Sequence, residues 1–578
     1  MLRIKGRGQL TEKSMYLQSL LKNHFDAIVV GSGISGGWAA MELCKKGLKT
    51  LLLERGRDVE HIKDYPTANL SPWEFVNGFN NTIEDYTNDP VQSNIYNPGN
   101  KHFFVRDKDH PYIQDKPFSW FRGYQVGGRS LVWGRQCYRL SDLDFEANMK
   151  DGHGVDWPIR YNDLAPWYDY VESFIGVSGR NEGLSHLPDG KFLPPMELNC
   201  IERHLEAHLK LGEEKRLLTI ARVANLTKGW NGRGPCQNRN LCSRGCLYGG
   251  YFSSNSSTLP AAASTGNLTL RPFSVVTEIV YDDKSRTATG VRIVDAITNE
   301  SYEYSARVIF INASTIATTA LLLNSKSSRF PNGLGNDSDQ VGHNLMDHHS
   351  SAGAAGTFEG YKDKYYKGRR PCGFLIPRYR NVLDSEELGF VRGYNLQGRG
   401  QRQEWSDKAS YLEGFGKDFK EKLTTPGPWT VWMAGWGECL PYYDNKVTLD
   451  DDKRDKWGVP LVRIDFSFGN NEKLMMNDAK ETASQMLEDA GFTGVDSFIY
   501  NKPGGSTVHE MGTARMGNDP GTSVLNSQNQ IHSVKNVFIT DGSCMTSSAC
   551  QNPSLTYMAL TARACQFAVS QLKKGALL

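Results

Sequence analysis

No stretch of this 578-residue sequence is apolar over the ~18 to 20 consecutive residues that a membrane-spanning helix needs, so no span is predicted. Charge of one sign is missing too. Lys and Arg total 66 against 64 Asp and Glu, a formal net charge of +2, which excludes a protein that coats nucleic acid or lies on an anionic membrane through a basic face. Repeats, heptads and low-complexity tracts are absent. With 39% hydrophobic residues and a mean hydropathy of −0.49, the composition is that of a globular protein, not a disordered one. Met1 to His24 has scattered basic residues but neither paired arginines nor an apolar core of about 7 to 15 residues, so no export signal is predicted and the bland expectation is a cytoplasmic start. What the chain does have is a glycine surplus, 57 residues, and 11 cysteines, of which eight are scattered and three are clustered.

Phe25-Asp-Ala-Ile-Val-Val30 is apolar enough for a buried parallel strand. Gly31-Ser-Gly33-Ile-Ser-Gly36 follows at once, then a helical pattern from Gly37 to Lys46, then Lys49-Thr-Leu-Leu-Leu53, a second strand closed by Glu54. This order is that of a dinucleotide-binding unit. Gly31 would make the tight turn, Gly33 would admit a pyrophosphate to the backbone, and Gly36 would let helix and sheet pack closely. The helix N-terminus would offer free N–H groups and its positive dipole end to the phosphates, and Glu54 can bind ribose hydroxyls. The motif alone does not separate FAD from NAD.

Later segments select FAD. Val126-Gly127-Gly128-Arg-Ser130-Leu-Val132-Trp-Gly134 is a second glycine turn. Arg307 to Asn312 and Asn536 to Asp541 are further buried strands, the last ending on an acid and a glycine. A segment around His509 precedes that strand, and Gln551-Asn552-Pro553-Ser-Leu-Thr follows it and opens the final helix. This discontinuous layout resembles the glucose–methanol–choline (GMC) flavin oxidoreductases over Phe25 to about Val569, and within them the pyranose-oxidase-like branch and the flavoprotein (large) subunits of bacterial sugar dehydrogenases such as glucoside 3-dehydrogenase. The resemblance implies an α/β fold. Its discontinuous Rossmann-like FAD-binding domain would take residues 22–70, 118–140, 226–350 and 505–578. An inserted α+β substrate-binding domain and lid, containing an antiparallel sheet, would take 71–117, 141–225 and 351–504. It also implies that Gly127, Gly128, Ser130, Val276, Asp541, Asn552 and Pro553 join Gly31, Gly33, Gly36 and Glu54 at the cofactor. Some relatives attach FAD through a His just before the Trp of the second turn. Val132 stands there, so FAD is expected to be non-covalent.

The chemistry so implied is oxidation of a secondary alcohol of a pyranose sugar or glycoside, with C3 favoured and a 3-keto sugar as product. The hydride would go to flavin N5 while His509 takes the hydroxyl proton as general base and Asn552 orients the oxygen.

Cys236, Cys242 and Cys246 follow a C-x5-C-x3-C spacing within eleven residues. Soft sulfur ligands favour iron–sulfur centres or zinc. Zinc would want a fourth ligand that no nearby Cys or His supplies, whereas three thiolates suit a [3Fe–4S] cluster, as the resemblance also implies. The alternative is a loop of three free thiols. A cluster would favour a dehydrogenase that passes electrons to a protein acceptor over an oxidase that reduces oxygen. The resemblance adds a small partner subunit, a c-type cytochrome acceptor and periplasmic location by co-export. A non-enzymatic electron-transfer or scaffold flavoprotein is the third possibility, against which His509 and Asn552 both speak. His343, His348 and His349 look like a metal set but are expected to be structural. Residues 353–436 and 445–468 are expected to form one antiparallel substrate sheet, with the charge run at 450–455 in a solvated loop. An amphipathic helix is expected over 471–490.

Overall fold

The computed structural model describes residues 23–77, 79–212, 215–364, 371–382, 388–404 and 412–577. The reading of the N-terminal segment therefore lies, save for its last two residues, outside the described residues. Among them no helix is long and apolar enough to cross a membrane.

Strand His24–Val30 lies in an eight-stranded sheet between Thr50–Leu53 and Ser301–Ile311, parallel to both. Leu268–Arg271 extends the sheet beyond Thr50–Leu53, and Val534–Ile539 extends it beyond Ser301–Ile311, again in parallel. These strands are almost continuously apolar because helices and loops cover both faces; Ile28, Leu51, Val308 and Ile309 are wholly buried. Helix Ile34–Lys45 lies against the sheet, and the final helix, Ser554–Lys573, packs on it. The first helix begins at Ile34, ahead of the expected Gly37, because the Gly37 N–H already donates to the Gly33 carbonyl at 2.8 Å.

A second sheet, antiparallel throughout, runs in the order Thr493–Ile499, Ala352–Phe358, Trp429–Gly437, Tyr394–Arg402, Phe374–Ile376, Thr219–Ile220. Helix Asn470–Asp489 covers it with Met475, Ala479, Ala483, Met486 and Leu487, its expected inner face. One expectation is corrected here. Lys446–Arg454 and Pro460–Asp465 do not join this sheet; they form a separate three-stranded sheet with Ile113–Gln114. The reason is local. Val447 donates to the Gly342 carbonyl and Leu345 to the Asn445 carbonyl, both at 2.9 Å, which ties this hairpin to the segment leading towards His348. The charge run at 450–455 is likewise mostly strand, its side chains exposed past the register shift after Leu449.

Glu54 owes its place to a corner built around Arg271. The Glu54 N–H donates to the Arg271 carbonyl at 3.0 Å, and the Ser274 N–H to the Glu54 carbonyl at 2.8 Å. The Arg271 guanidinium pairs with Asp295 at 2.8 Å with both side chains fully buried, and it sits over the rings of Tyr302 and Tyr304. Removing one partner of a buried pair leaves a charge in a low dielectric. Asp295→Asn is expected to cost on the order of 3–5 kcal/mol, read as a lower midpoint in denaturant unfolding; an unchanged midpoint would show that the pair does not hold this corner.

Candidate functional site

A cavity opens where the carboxyl ends of the parallel strands give way to loops, the place where such sheets take ligands. Gly31, Gly33, Glu54, Gly128, Ser130, Val276, His509, Asp541, Asn552 and Pro553 line it, as does Val132. These residues come from seven separate stretches of chain. The glycines divide by role. Gly31 has φ +91°, and a Cβ on it would overlap the Asn312 carbonyl; a Cβ on Gly36 would overlap the Gly31 carbonyl, so Gly36 stands behind the cavity as a packing glycine. A Cβ on Gly33 would meet nothing within 4 Å; its backbone faces open space. Gly127 departs from expectation. It is not in the cavity wall: its N–H donates to Ser32 Oγ at 2.9 Å, and a Cβ there would overlap Asn255 Oδ1.

Glu54 accepts from Ser32 Oγ at 2.6 Å, from the Ser32 N–H at 3.2 Å and from the Gly56 N–H at 2.9 Å. Asp541 accepts from the Thr318 and Ser543 hydroxyls, both at 2.5 Å, and from the Ser543 N–H at 3.0 Å. Burial pushes both carboxyls up from their ordinary range. Two polar atoms in the wall, Tyr557 Oη and Asn312 Nδ2, are buried without a hydrogen-bond partner, and such groups ordinarily have one. An open glycine backbone, two anchored carboxyls and orphaned donors suit an elongated guest with phosphates and hydroxyls, so the residues fit FAD.

At one end of the cavity His509 meets Asn552, with 3.5 Å between His509 Nε2 and Asn552 Nδ2. Asn552 Oδ1 accepts from Gln397 Nε2 at 2.8 Å, which fixes the amide with its NH2 towards the imidazole. Gln397 in turn donates to Asn395 Oδ1 at 3.0 Å, and Asn395 to the Cys550 carbonyl at 2.5 Å. His509 Nδ1 lies 2.8 Å from His348 Nδ1. Burial first, then His348 and Arg129, hold His509 well below the usual histidine range, so the ring is neutral at physiological pH. Burial also pulls His348 down to about 4. Beneath the pair, Asp347 accepts from the Thr507 hydroxyl and from the His509 N–H at 3.3 Å; burial lifts its carboxyl to about 7. Arg129 grips Glu510 bidentately at 2.8 and 3.1 Å, joining the second glycine turn to the His509 segment.

His509 and Asn552 also face a second, wider cleft of about 1180 Å³. Gln397, Arg399 and Gln401 of one strand and Trp432 and Trp436 of the next line it, with Arg135, Gln136 and Asn238 opposite. Amides and guanidinium groups among indole faces suit a polyhydroxylated ring.

Cys236, Cys242 and Cys246 are all free and partly exposed, and among the described residues no group of three or more His, Cys, Asp or Glu is disposed to hold a metal ion. Local contacts hold each one in place. The Cys236 backbone is tied to the Leu226 carbonyl at 2.8 Å, Cys242 starts a 3-10 turn, and Cys246 Sγ accepts from the Gly250 N–H at 3.2 Å. The three thiols still sense one another: burial raises Cys236, and Cys242 and Cys246 push it the same way. Beyond them the chain does return to the cavity. The Tyr251 hydroxyl donates to the Leu131 carbonyl at 2.6 Å, and the Phe252 carbonyl accepts from Trp133 Nε1 at 2.8 Å.

Sequence reasoning missed three contributors. His348 stood in a visible histidine run but was assigned a structural part. Arg129 lay in plain view within the glycine turn, its partner 381 residues away. Gln397 has no local signal, since only strand pairing brings it to Asn552.

Two family profiles, both described as GMC oxidoreductase, match residues 25–350 and 441–561. The chain is 28% identical over 557 residues to a 2-methyl-1,2-propanediol dehydrogenase of Mycolicibacterium austroafricanum, spanning 93% of this chain and 94% of that protein. It is 26% identical over 564 residues to the fructose dehydrogenase large subunit of Gluconobacter japonicus, spanning 95% and 98%. Among solved structures, pyridoxine 4-oxidase from Mesorbium loti superposes with a TM-score of 0.60 at 16% identity, over 94% of this chain and 99% of that one, a likeness of fold.

The contrast between Gly33 and Gly36 is testable. Gly33→Ala is expected to fold with an unchanged melting temperature but to lose bound flavin, measured as flavin absorbance per chain. Gly36→Ala, whose Cβ strikes backbone, is expected to melt earlier. Full flavin content in Gly33→Ala would remove Gly33 from the cofactor site.

Proposed function

The chain belongs to the GMC oxidoreductase family, and on that premise we propose that it is an FAD-dependent dehydrogenase that oxidises a secondary hydroxyl of a pyranose sugar or glycoside. The observation that carries the reading is the His509–Asn552 pair, which lies in the wall shared by the cofactor cavity and the polar, indole-lined cleft.

FAD, when bound along Gly31, Gly33, Glu54, Gly128, Ser130, Val276, Asp541 and Pro553, supplies the two-electron acceptor for the hydride. The chain's own groups do the rest. Asn552 Nδ2, aimed by Gln397, donates to the substrate oxygen and fixes it. His509 Nε2 accepts the hydroxyl proton as the C–H hydride leaves, so the O–H and C–H bonds break and a carbonyl forms. The hydrogen bond donated by Asn552 and the one accepted by the neutral imidazole replace water around the reacting hydroxyl, and holding the alcohol in this geometry converts a two-body encounter into an oriented one. Trp432 and Trp436 offer the ring its flat faces, while Arg135, Gln136 and Gln401 offer hydroxyl partners. Oxidation at C3, and kinship with glucoside 3-dehydrogenases, rest on the resemblance of motifs.

The electron route is a separate proposal. A [3Fe–4S] cluster on Cys236, Cys242 and Cys246, a small partner subunit, a c-type cytochrome acceptor and a periplasmic location by co-export rest on the cysteine spacing and the resemblance. The second reading is an oxidase of the same fold that reduces oxygen to hydrogen peroxide, a route that needs no cluster. No step is derived through the cluster.

His509→Ala is expected to slow flavin reduction by sugar on the order of 10²–10⁴-fold, in single-turnover absorbance at 450 nm. Since only the neutral ring is a base and burial holds His509 low, the wild-type rate should not fall as pH drops through about 6.5, where an ordinary histidine would protonate. A reduction rate untouched by His509→Ala would sink the assignment. The acceptor is decided by anaerobic purification with iron and acid-labile sulfide assays beside dye, cytochrome and oxygen turnover. Iron near three atoms per chain with slow oxygen use supports the dehydrogenase; absent iron with fast peroxide formation establishes the oxidase.

A further inference from the structure

His348 touches no cavity wall, yet it fixes the chemistry of the residue that does. Its Nε2 lies 2.8 Å from the Ala549 carbonyl and 3.3 Å from the Ser548 carbonyl. A carbonyl only accepts, so that nitrogen carries the hydrogen. The ring is completely buried and neutral, so Nδ1 holds its lone pair. That lone pair faces His509 Nδ1 at 2.8 Å across rings set at 87°. The contact needs a donor, and only His509 can supply it. His509 therefore carries its hydrogen on Nδ1, and because it is neutral its lone pair is on Nε2, the atom nearest Asn552. These proton positions follow from donor–acceptor complementarity around two backbone oxygens that cannot donate.

We propose that His348 is a positioning residue: a neutral imidazole, anchored on the Ala549 and Ser548 carbonyls, that locks His509 in the Nδ1–H form and so directs its basic nitrogen to the substrate hydroxyl. A carboxylate in the same position would hold the same tautomer but would also stabilise the protonated ring, keeping the imidazolium that forms. A neutral acceptor orients without that charge, so His509 releases its proton again readily after each turnover. The backbone on both sides of the pair is held in the left-handed region by non-glycine residues, Ala549 at φ +53° and Val508 at φ +60°. Val508 is β-branched, for which that conformation is a true outlier. Strain of this kind persists where the surroundings over-determine a functional geometry: here Ala549 aims the anchoring carbonyl and Val508 sets the turn into His509. The charged and titratable groups around the pair are Asp347 and Glu510 on one side, Arg129 beyond Glu510, and the buried His349 next in the chain. Asp347 meets the backbone N–H of His509 and not its ring, so it does not compete for the tautomer.

The inference rests on His509 as the base, and its test does not depend on turnover. In flavin-loaded, substrate-free enzyme with ¹⁵N-labelled histidine, the His509 resonances, assigned by their loss in His509→Ala, should show a protonated Nδ1 and an unprotonated Nε2. His348→Leu removes the acceptor, so the His509 signals should move towards the Nε2–H form and flavin reduction should fall on the order of 10²-fold. His348→Gln, which can accept from His509 and donate to Ala549, should restore the rate to within about tenfold of wild type. An Nε2–H resonance in the wild-type enzyme overturns the proposal. So does a folded, flavin-loaded His348→Leu that reduces at the wild-type rate. Should His348→Leu fail to fold, a His348→Gln variant that folds with wild-type flavin content but reduces no faster than His509→Ala overturns it as well. If His509→Ala leaves reduction unchanged while the resting tautomer is as stated, the proposed base fails and the tautomer lock stands.

Discussion

Everything at the cofactor cavity depends on how closely three pieces of backbone meet at its floor. Gly31 turns the chain against the Asn312 carbonyl, and Gly36 brings the first helix onto the Gly31 carbonyl. Neither position has room for a methyl group. Because the helix sits so near the strand ends, its first turn and the loops after Leu53 and Ile311 reach one concave space. The final helix packs on the first, which carries Asn552 and Pro553 to the same space from the other end of the chain. One close backbone approach thus sets the distance between elements some 500 residues apart in the sequence.

Burial then sets the charge states. His509 and His348 are kept neutral, while Glu54, Asp541 and Asp347 are all pushed upward. Hydrogen bonds from Ser32, Gly56, Ser543, Thr318 and Thr507 work against that upward push. Arg129 and Glu510 form an ion pair that bridges the two parts of the reacting end, and it is bidentate, the geometry in which such pairs are strongest. A proton moving between substrate and His509 therefore passes through surroundings that are polar yet nearly free of unbalanced charge.

The cofactor half of this arrangement was legible in the sequence because its signals are local. Gly31, Gly33 and Glu54 follow from one strand–turn–helix–strand pattern, and His509 and Asn552 from two short motifs. Gly127 looked equivalent to Gly128, but a positive φ serves packing against Asn255 as well as it serves a ligand, and spacing cannot tell the two apart. The thiols at Cys236, Cys242 and Cys246 show the same limit: sequence gives their separation along the chain, whereas the direction of each sulfur depends on the turn at Cys242 and the hydrogen bonds to Leu226 and Gly250. The hairpin at 446–465 alternates like any strand pair, and only its ties to Gly342 and Leu345 decide which sheet it joins.

The histidine run at 343–349 separates these two kinds of information most sharply. Three histidines within seven residues suggest a metal, but the structure sends them to different neighbours. His343 stacks on Tyr443 and bonds its carbonyl. His349 lies buried against Gly437. His348 alone reaches His509. His348 and His349, though adjacent, therefore meet different environments. The environment that His348 meets contains two carbonyls and one imidazole, and that composition leaves a single consistent placement of protons. A residue that binds nothing itself thereby determines which nitrogen of another can act as a base.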